Sequence, residues 1–232
     1  MSQYVLHYAP DNASLIIRLA LEELGVPYDT CLVDRRIQGQ KAAAYLDLNP
    51  AGRIPTLETP HGPISETAAI LLWLGDRHGR LVPKVDAESR GAFLNWLLFV
   101  SNTLHADLLQ LFYTQRYGSQ TALPEIRARA QARISDHLTL LDTQATRRLP
   151  DWICGATPSA LDLYVAATLR WLHLYPADLP RWIDLKNWPQ LAEMCARLEQ
   201  RPCVATLNTT EGLGPAPFTN PHPARPPEGA AL

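Results

Sequence analysis

Residues 48–57 read Leu-Asn-Pro-Ala-Gly-Arg-Ile-Pro-Thr-Leu, and the proline near their end constrains the fold more than any other residue. Pro55-Thr56-Leu57 opens a strand-like run, yet proline removes a ladder donor and is confined to sheet edges, strand starts and bulges. A cis bond between Ile54 and Pro55 resolves the conflict, although only about 5–6% of X–Pro bonds in folded proteins are cis. It turns the backbone N–H and C=O of Ile54 outward, where an extended peptide can pair with them as an added strand. The competing reading is an ordinary loop proline beside the turn residues Pro50 and Gly52. Close behind comes Ser65-Glu66-Thr67-Ala68-Ala69-Ile70, a helix start with Ser65 as its expected cap. Glu66 and Thr67 there either favour the helix dipole and its free N–H groups or grip a ligand. In the second case Glu66 pairs with an ammonium, and the helix N–H groups and Thr67 hydroxyl take a carboxylate.

The flanking sequence frames this segment with alternating strand and helix signals. Residues 3–8 form a short strand, Pro10-Asp11-Asn12 a turn, and Ser14–Leu24 a helix with an apolar face at Ile16, Ile17, Ala20, Leu21 and Leu24. Gly25 stops it. Strands are expected at Tyr28–Val33 and Pro55–Thr59, a less regular helical stretch at 40–46, and a turn at His61-Gly62 leading to a partner strand near Ile64. A helix then runs to about Arg77. The order βαβ, helix, ββα predicts a small α/β sandwich over residues 1–80.

After a linker at 81–86 the pattern becomes helical through residue 213. Phe93, Trp96, Leu97, Val100, Leu104, Leu108 and Leu111 stripe one long helix; Leu123–Leu149 makes another. Ser159–Leu174, apolar nearly all round, reads as the centre of a bundle, and Trp188–Gln200 as a shorter helix. Ser159-x-x-Asp162 fits a reciprocal helix cap rather than a catalytic pair. Residues 214–232 hold six of the chain's 20 prolines and are expected to be extended or disordered unless the body covers them.

Bulk properties narrow the function. With 21 basic against 23 acidic residues, the charge of −2 gives no basic excess for nucleic acid or a membrane surface. No run approaches the roughly 18 apolar residues of a membrane span, and no basic leader precedes Tyr4-Val5-Leu6-His7-Tyr8, so a cytoplasmic location is expected. Cys31, Cys154, Cys195 and Cys203 lack metal-site or C-x-x-C spacing and are read as small buried hydrophobes, with no metal implied.

The strand–turn–helix opening, Asn49-Pro50-Ala51-Gly52-Arg53-Ile54-Pro55 and Glu66-Thr67-Ala68-Ala69-Ile70 together resemble the thioredoxin-like half of glutathione transferases. The resemblance continues through Trp96-Leu97-Leu98-Phe99, Leu104-His105, Cys154-Gly155, Ser159-Ala160-Leu161-Asp162 and Thr210-Glu211-Gly212-Leu213, and is nearest to the bacterial beta class. It implies a thioredoxin-like domain followed by a helical bundle, in a two-fold homodimer that binds glutathione as co-substrate. At matching positions Ile54 would pair with the cysteinyl unit beside cis-Pro55, and Glu66 and Thr67 would hold the γ-glutamyl end. Arg53 would meet the glycine carboxylate, and His105 would reach the cleft. A small hydrophobic electrophile would lie near His105, Tyr113 and Trp171. The alternative is a binding or scaffold protein of the same fold with little catalysis.

Holding the thiol as thiolate at pH 7 requires lowering its pKa by about two units from about 8.5, roughly 2.7 kcal/mol. One hydrogen bond to the charged sulfur contributes about 1.5–3 kcal/mol, and a helix N-terminus up to about 2 kcal/mol. One donor at the first helix start is therefore sufficient. The beta class carries a cysteine in this turn, whereas Ala13 aligns there, so a mixed disulfide is not expected. The candidates are Ser14, which matches the serine beside that cysteine and is favoured, then Asn12 and Tyr8. Leu98 and Thr103 also depart from the class, standing where it offers glutathione an amide and a carboxylate.

Overall fold

The computed structural model describes residues 3–147 and 152–231. Its first half is one four-stranded sheet in the order β2-β1-β3-β4, with β1 at Val5–Tyr8, β2 at Asp29–Leu32, β3 at Thr56–Thr59 and β4 at Gly62–Ser65. β1 runs parallel to β2 and antiparallel to β3, and β3 runs antiparallel to β4. The parallel pair demands a crossover, and α1 (Ser14–Leu24) supplies it. Gly25 ends α1 at φ +68°, a left-handed conformation that glycine adopts without strain. A short α2 (Ala43–Leu48) and α3 (Thr67–His78) complete the unit. Ser65 belongs to β4 and does not cap α3; Glu66 takes the cap position, with no side-chain cap bond.

The helical half begins at α4 (Arg90–Phe99). The single long helix expected here is broken: Val100–Leu104 is a π-helical segment, and α5 (His105–Phe112) starts beyond it. The hydrophobic stripe still reaches the core, with Phe93, Leu97, Val100, Leu104, Leu108 and Leu111 buried. The extra residue per turn rotates α5 relative to α4, a device frequent at functional sites. α6 spans Leu123–Thr146; the expected terminus at Leu149 lies outside the described residues. α7 (Ala160–Leu174) is buried along its first 13 residues and forms the bundle centre, and Ser159 and Asp162 make the reciprocal cap. α8 (Pro189–Glu199) is followed by α9 (Pro202–Thr210), which periodicity did not reveal and which packs on α1.

The described residues of the Pro-rich segment, 214–231, form no helix or strand, yet they lie along the body. Phe218 is fully buried, and Glu199 accepts the N–H groups of Phe218 and Thr219 at 2.8 Å. The Arg225 N–H donates to the Gly212 carbonyl at 2.9 Å. A Cβ on Gly212 would fall 1.9 Å from the Arg225 oxygen, so only glycine admits the tail this closely.

One expectation about the cysteines fails. Cys195 and Cys203 are buried and Cys154 is half-buried, but Cys31, on the edge strand β2, is exposed.

Candidate active site

Strand register gathers the site at one end of the sheet. His7 opposes Thr56, and Thr56 opposes Ser65. Continuing that register sets Tyr8 and Ala9 beside Pro55 and Ile54, and Pro55 beside Glu66. The Ile54–Pro55 bond is cis. Among the described residues the Ile54 N–H and C=O have no hydrogen-bond partner, whereas the preceding carbonyl of Arg53 accepts from Tyr45 Oη at 2.6 Å and Asn49 Nδ2 at 2.7 Å. A backbone pair left free beside anchored neighbours is the edge that an extended peptide requires. Glu66 is exposed, and its φ of +68° is a conformation that non-glycine residues hold mainly where surrounding structure imposes it. Thr67 is buried at the start of α3, and the Arg53 side chain is exposed.

The end of β1, the turn after it and the start of α1 carry the three candidates Tyr8, Asn12 and Ser14, and their geometry separates them. Ser14 is fully buried; its Oγ donates to the Ala9 carbonyl at 2.9 Å and accepts from the Ala9 N–H at 3.2 Å. The favoured hydroxyl is thus closed on the backbone of the preceding strand, and it makes no cap for α1, whose cap position is Ala13. Tyr8 is 2% exposed, its hydroxyl donates to Glu228 of the tail, and the Arg18 guanidinium stacks on its ring at 4.3 Å. Burial, reinforced by Glu228, pushes the phenol up to about 12. Asn12 is only half-buried. Its Oδ1 accepts from the Ala13 N–H at 2.8 Å, which leaves the amide Nδ2 without a partner among the described residues.

The helical half brings its own residues to this end. His105, the first residue of α5, has Nδ1 2.8 Å from Tyr164 Oη. Burial, then the Arg53 charge, lowers the imidazole to about 4, so it is neutral; burial drives the Tyr164 phenol upward. A protonated Tyr164 donating to Nδ1 leaves the ring proton on Nε2. The Tyr164–His105 bond ties α7 to α5. The Trp171 ring lies 5.7 Å from His105, and its Nε1 donates to Asp11 Oδ1 at 3.0 Å, so Trp171 is a buried wall.

Tyr113, at the end of α5, accepts from Arg35 Nη2 at 3.3 Å and carries Arg116 over its ring at 4.0 Å. Sequence reasoning missed Arg35. It follows β2 at the sheet end shared with Tyr8, it bridges the two halves, and its Nη1 is buried without a partner among the described residues. The adjacent Asp34, which caps the short helical turn, was the local signal. Tyr164 was also missed, hidden in a helix that reads as apolar.

Residues 13–77 match the N-terminal domain model of glutathione S-transferases, and residues 124–199 match the C-terminal domain model. A glutathione S-transferase, GST-4.5 of Xanthomonas campestris pv. campestris, is 30% identical over 176 residues, covering 75% of this chain and 85% of that protein. The chain belongs to the glutathione S-transferase family. A sphingomonad glutathione S-transferase solved in complex with glutathione is 29% identical, with a TM-score of 0.72, over 90% of this chain and 100% of that one. The bacterial beta class enzyme of Sphingomonas chungbukensis is 27% identical, with a TM-score of 0.70, over 90% and 98%. In this transferase Ala13 is half-buried at the start of α1, and Leu98 is 49% exposed on α4. Among the described residues no helix is long and apolar enough to cross a membrane.

Proposed function

We propose that this transferase binds glutathione as an added strand against Ile54 and directs the thiol at the Asn12 amide. Glu66 pairs with the γ-glutamyl ammonium while Thr67 and the first N–H groups of α3 take its carboxylate. The exposed Arg53 receives the glycine carboxylate. The Asn12 Nδ2 and the positive end of α1 supply the roughly 2.7 kcal/mol that lowers the thiol pKa by two units. The thiol proton passes to water. The thiolate then forms a bond to an electrophilic carbon of a small hydrophobic molecule lying against His105, Tyr113 and Trp171, and the leaving group departs with its electron pair. The His105 Nε2–H faces the developing negative charge. Asn12 takes the role first assigned to Ser14, because the Ser14 hydroxyl is spent on Ala9.

One observation carries this reading: the free N–H and C=O of Ile54 lie at the sheet end that also holds Glu66 and the start of α1. Titration calorimetry with glutathione, with an aryl halide conjugation assay alongside, tests it. We expect binding that Glu66→Gln weakens about tenfold, the loss of one partly desolvated charge pair. Absence of binding overturns the reading. A second reading, retained binding with little catalysis, draws support from Leu98 and Thr103 and from the tail held on Tyr8. Binding without a lowered thiol pKa would favour it. A two-fold homodimer, as the family implies, would scatter light at twice the monomer mass of 25.8 kDa.

A further inference from the structure

The turn that carries Asn12 is held by the helical half of the molecule. Asp11 sits at φ +48°, a region that costs a non-glycine residue about 1–2 kcal/mol and that aspartate tolerates better than most. Its carboxylate accepts from Arg170 Nε at 2.8 Å, Arg170 Nη2 at 2.9 Å, Trp171 Nε1 at 3.0 Å and Tyr175 Oη at 3.2 Å. Its backbone N–H donates to Glu211 Oε2 at 2.9 Å. Arg170 also donates to the tail carbonyls of Pro217 at 3.1 Å and His222 at 3.0 Å. Asp11, Arg170 and Glu211 are all 0% exposed.

We propose that Asp11 and Arg170 are positioning residues for the transferase reaction: they orient the Pro10-Asp11-Asn12 backbone so that the Asn12 amide meets the sulfur. The proposal rests on Asn12 as the thiolate donor. Neither residue reaches solvent, so neither touches the tripeptide, and both act through their neighbour. Cohesion alone does not account for them, because well-packed apolar residues join two domains as well as or better than a buried ion pair. Apolar contacts do not fix a direction, whereas four donors converging on one carboxylate do. Asn12 inherits that direction, its Oδ1 tied to the Ala13 N–H and its carbonyl to the Leu15 N–H, each at 2.8 Å. A displacement of about 1 Å in such a group can cost about a hundredfold in rate.

The test uses the full chain carrying the neutral pair Asp11→Asn/Arg170→Gln and, separately, Tyr175→Phe. The pKa of the bound thiol is read from the thiolate ultraviolet band, and affinity from calorimetry with S-methylglutathione, which has no thiol to ionise. We expect the neutral pair to raise the thiol pKa by about one unit, a tenfold loss of thiolate below both values, with the S-methylglutathione Kd changed less than about twofold. In an Asn12→Ala background the same pair moves the pKa no further, as coupled sites require. An unchanged pKa in the folded variant overturns the proposal, as does an equal rise without Asn12. If the pair does not fold, Tyr175→Phe, which removes one donor and no charge, decides: a rise of a few tenths of a unit supports the proposal and none refutes it. If Asn12→Ala alone leaves the thiol pKa unchanged, the donor assignment fails; if it raises the pKa and the pair does not, only the positioning role fails.

Discussion

Asn12→Ala and Ser14→Ala should have opposite signatures, and the contrast tests how the thiol is activated. Asn12 Nδ2 is free while its Oδ1 caps the Ala13 N–H. Removing the amide deletes one hydrogen bond to a charged sulfur, about 1.5–3 kcal/mol, which raises the bound thiol pKa by about one to two units. The lost bond from the Ala13 N–H costs about 1 kcal/mol of stability. Ser14→Ala instead strands the Ala9 N–H and C=O in a fully buried site and costs about 1–3 kcal/mol of stability with no change in the thiol. The assay pairs the thiolate band of bound glutathione against pH with urea unfolding of each variant. A rise in thiol pKa from Ser14→Ala, with Asn12→Ala silent, would refute the argument, because a hydroxyl closed on Ala9 has no donor left for sulfur.

Three further outcomes follow from the geometry. Glu228→Ala should lower the Tyr8 phenol from about 12 towards 10 without reaching it, since burial is the larger cause; a tyrosinate titration missing one step in Tyr8→Phe measures this. Arg53→Met should weaken glutathione binding about tenfold through loss of one carboxylate contact, while kcat at saturation changes little; calorimetry beside steady-state kinetics separates the two. For His105 the folded pKa of about 4 lies below the usual 6.5, so between these values the unfolded chain binds more protons and this residue's contribution to stability rises with pH. His105→Gln should flatten that part of the stability profile, and kcat/KM should show no histidine ionisation near pH 6.5.

How much was legible in the sequence follows from the range of each interaction. Pro55 after Ile54, the helix start at Glu66-Thr67, the stop at Gly25 and the cap at Ser159-Asp162 are governed by neighbours a few residues away, and the structure forms each of them apart from the cap at Ser65. Apolar periodicity likewise sets which helix face is buried, as Phe93 to Leu111 demonstrate even across the π-helical break. Tertiary structure alone decided which polar groups remain free. Ser14 and Asn12 are equivalent as letters in a turn, but one hydroxyl meets Ala9 and the other side chain keeps its amide. Arg170 is one charged residue in an apolar helix until docking brings it to Asp11, 159 positions earlier in the chain. Backbone conformation is set locally by sterics and short-range hydrogen bonds, whereas the partner of a long polar side chain depends on how separately formed layers meet. The tail whose Glu228 takes the Tyr8 hydroxyl is the same lesson at 220 positions' remove.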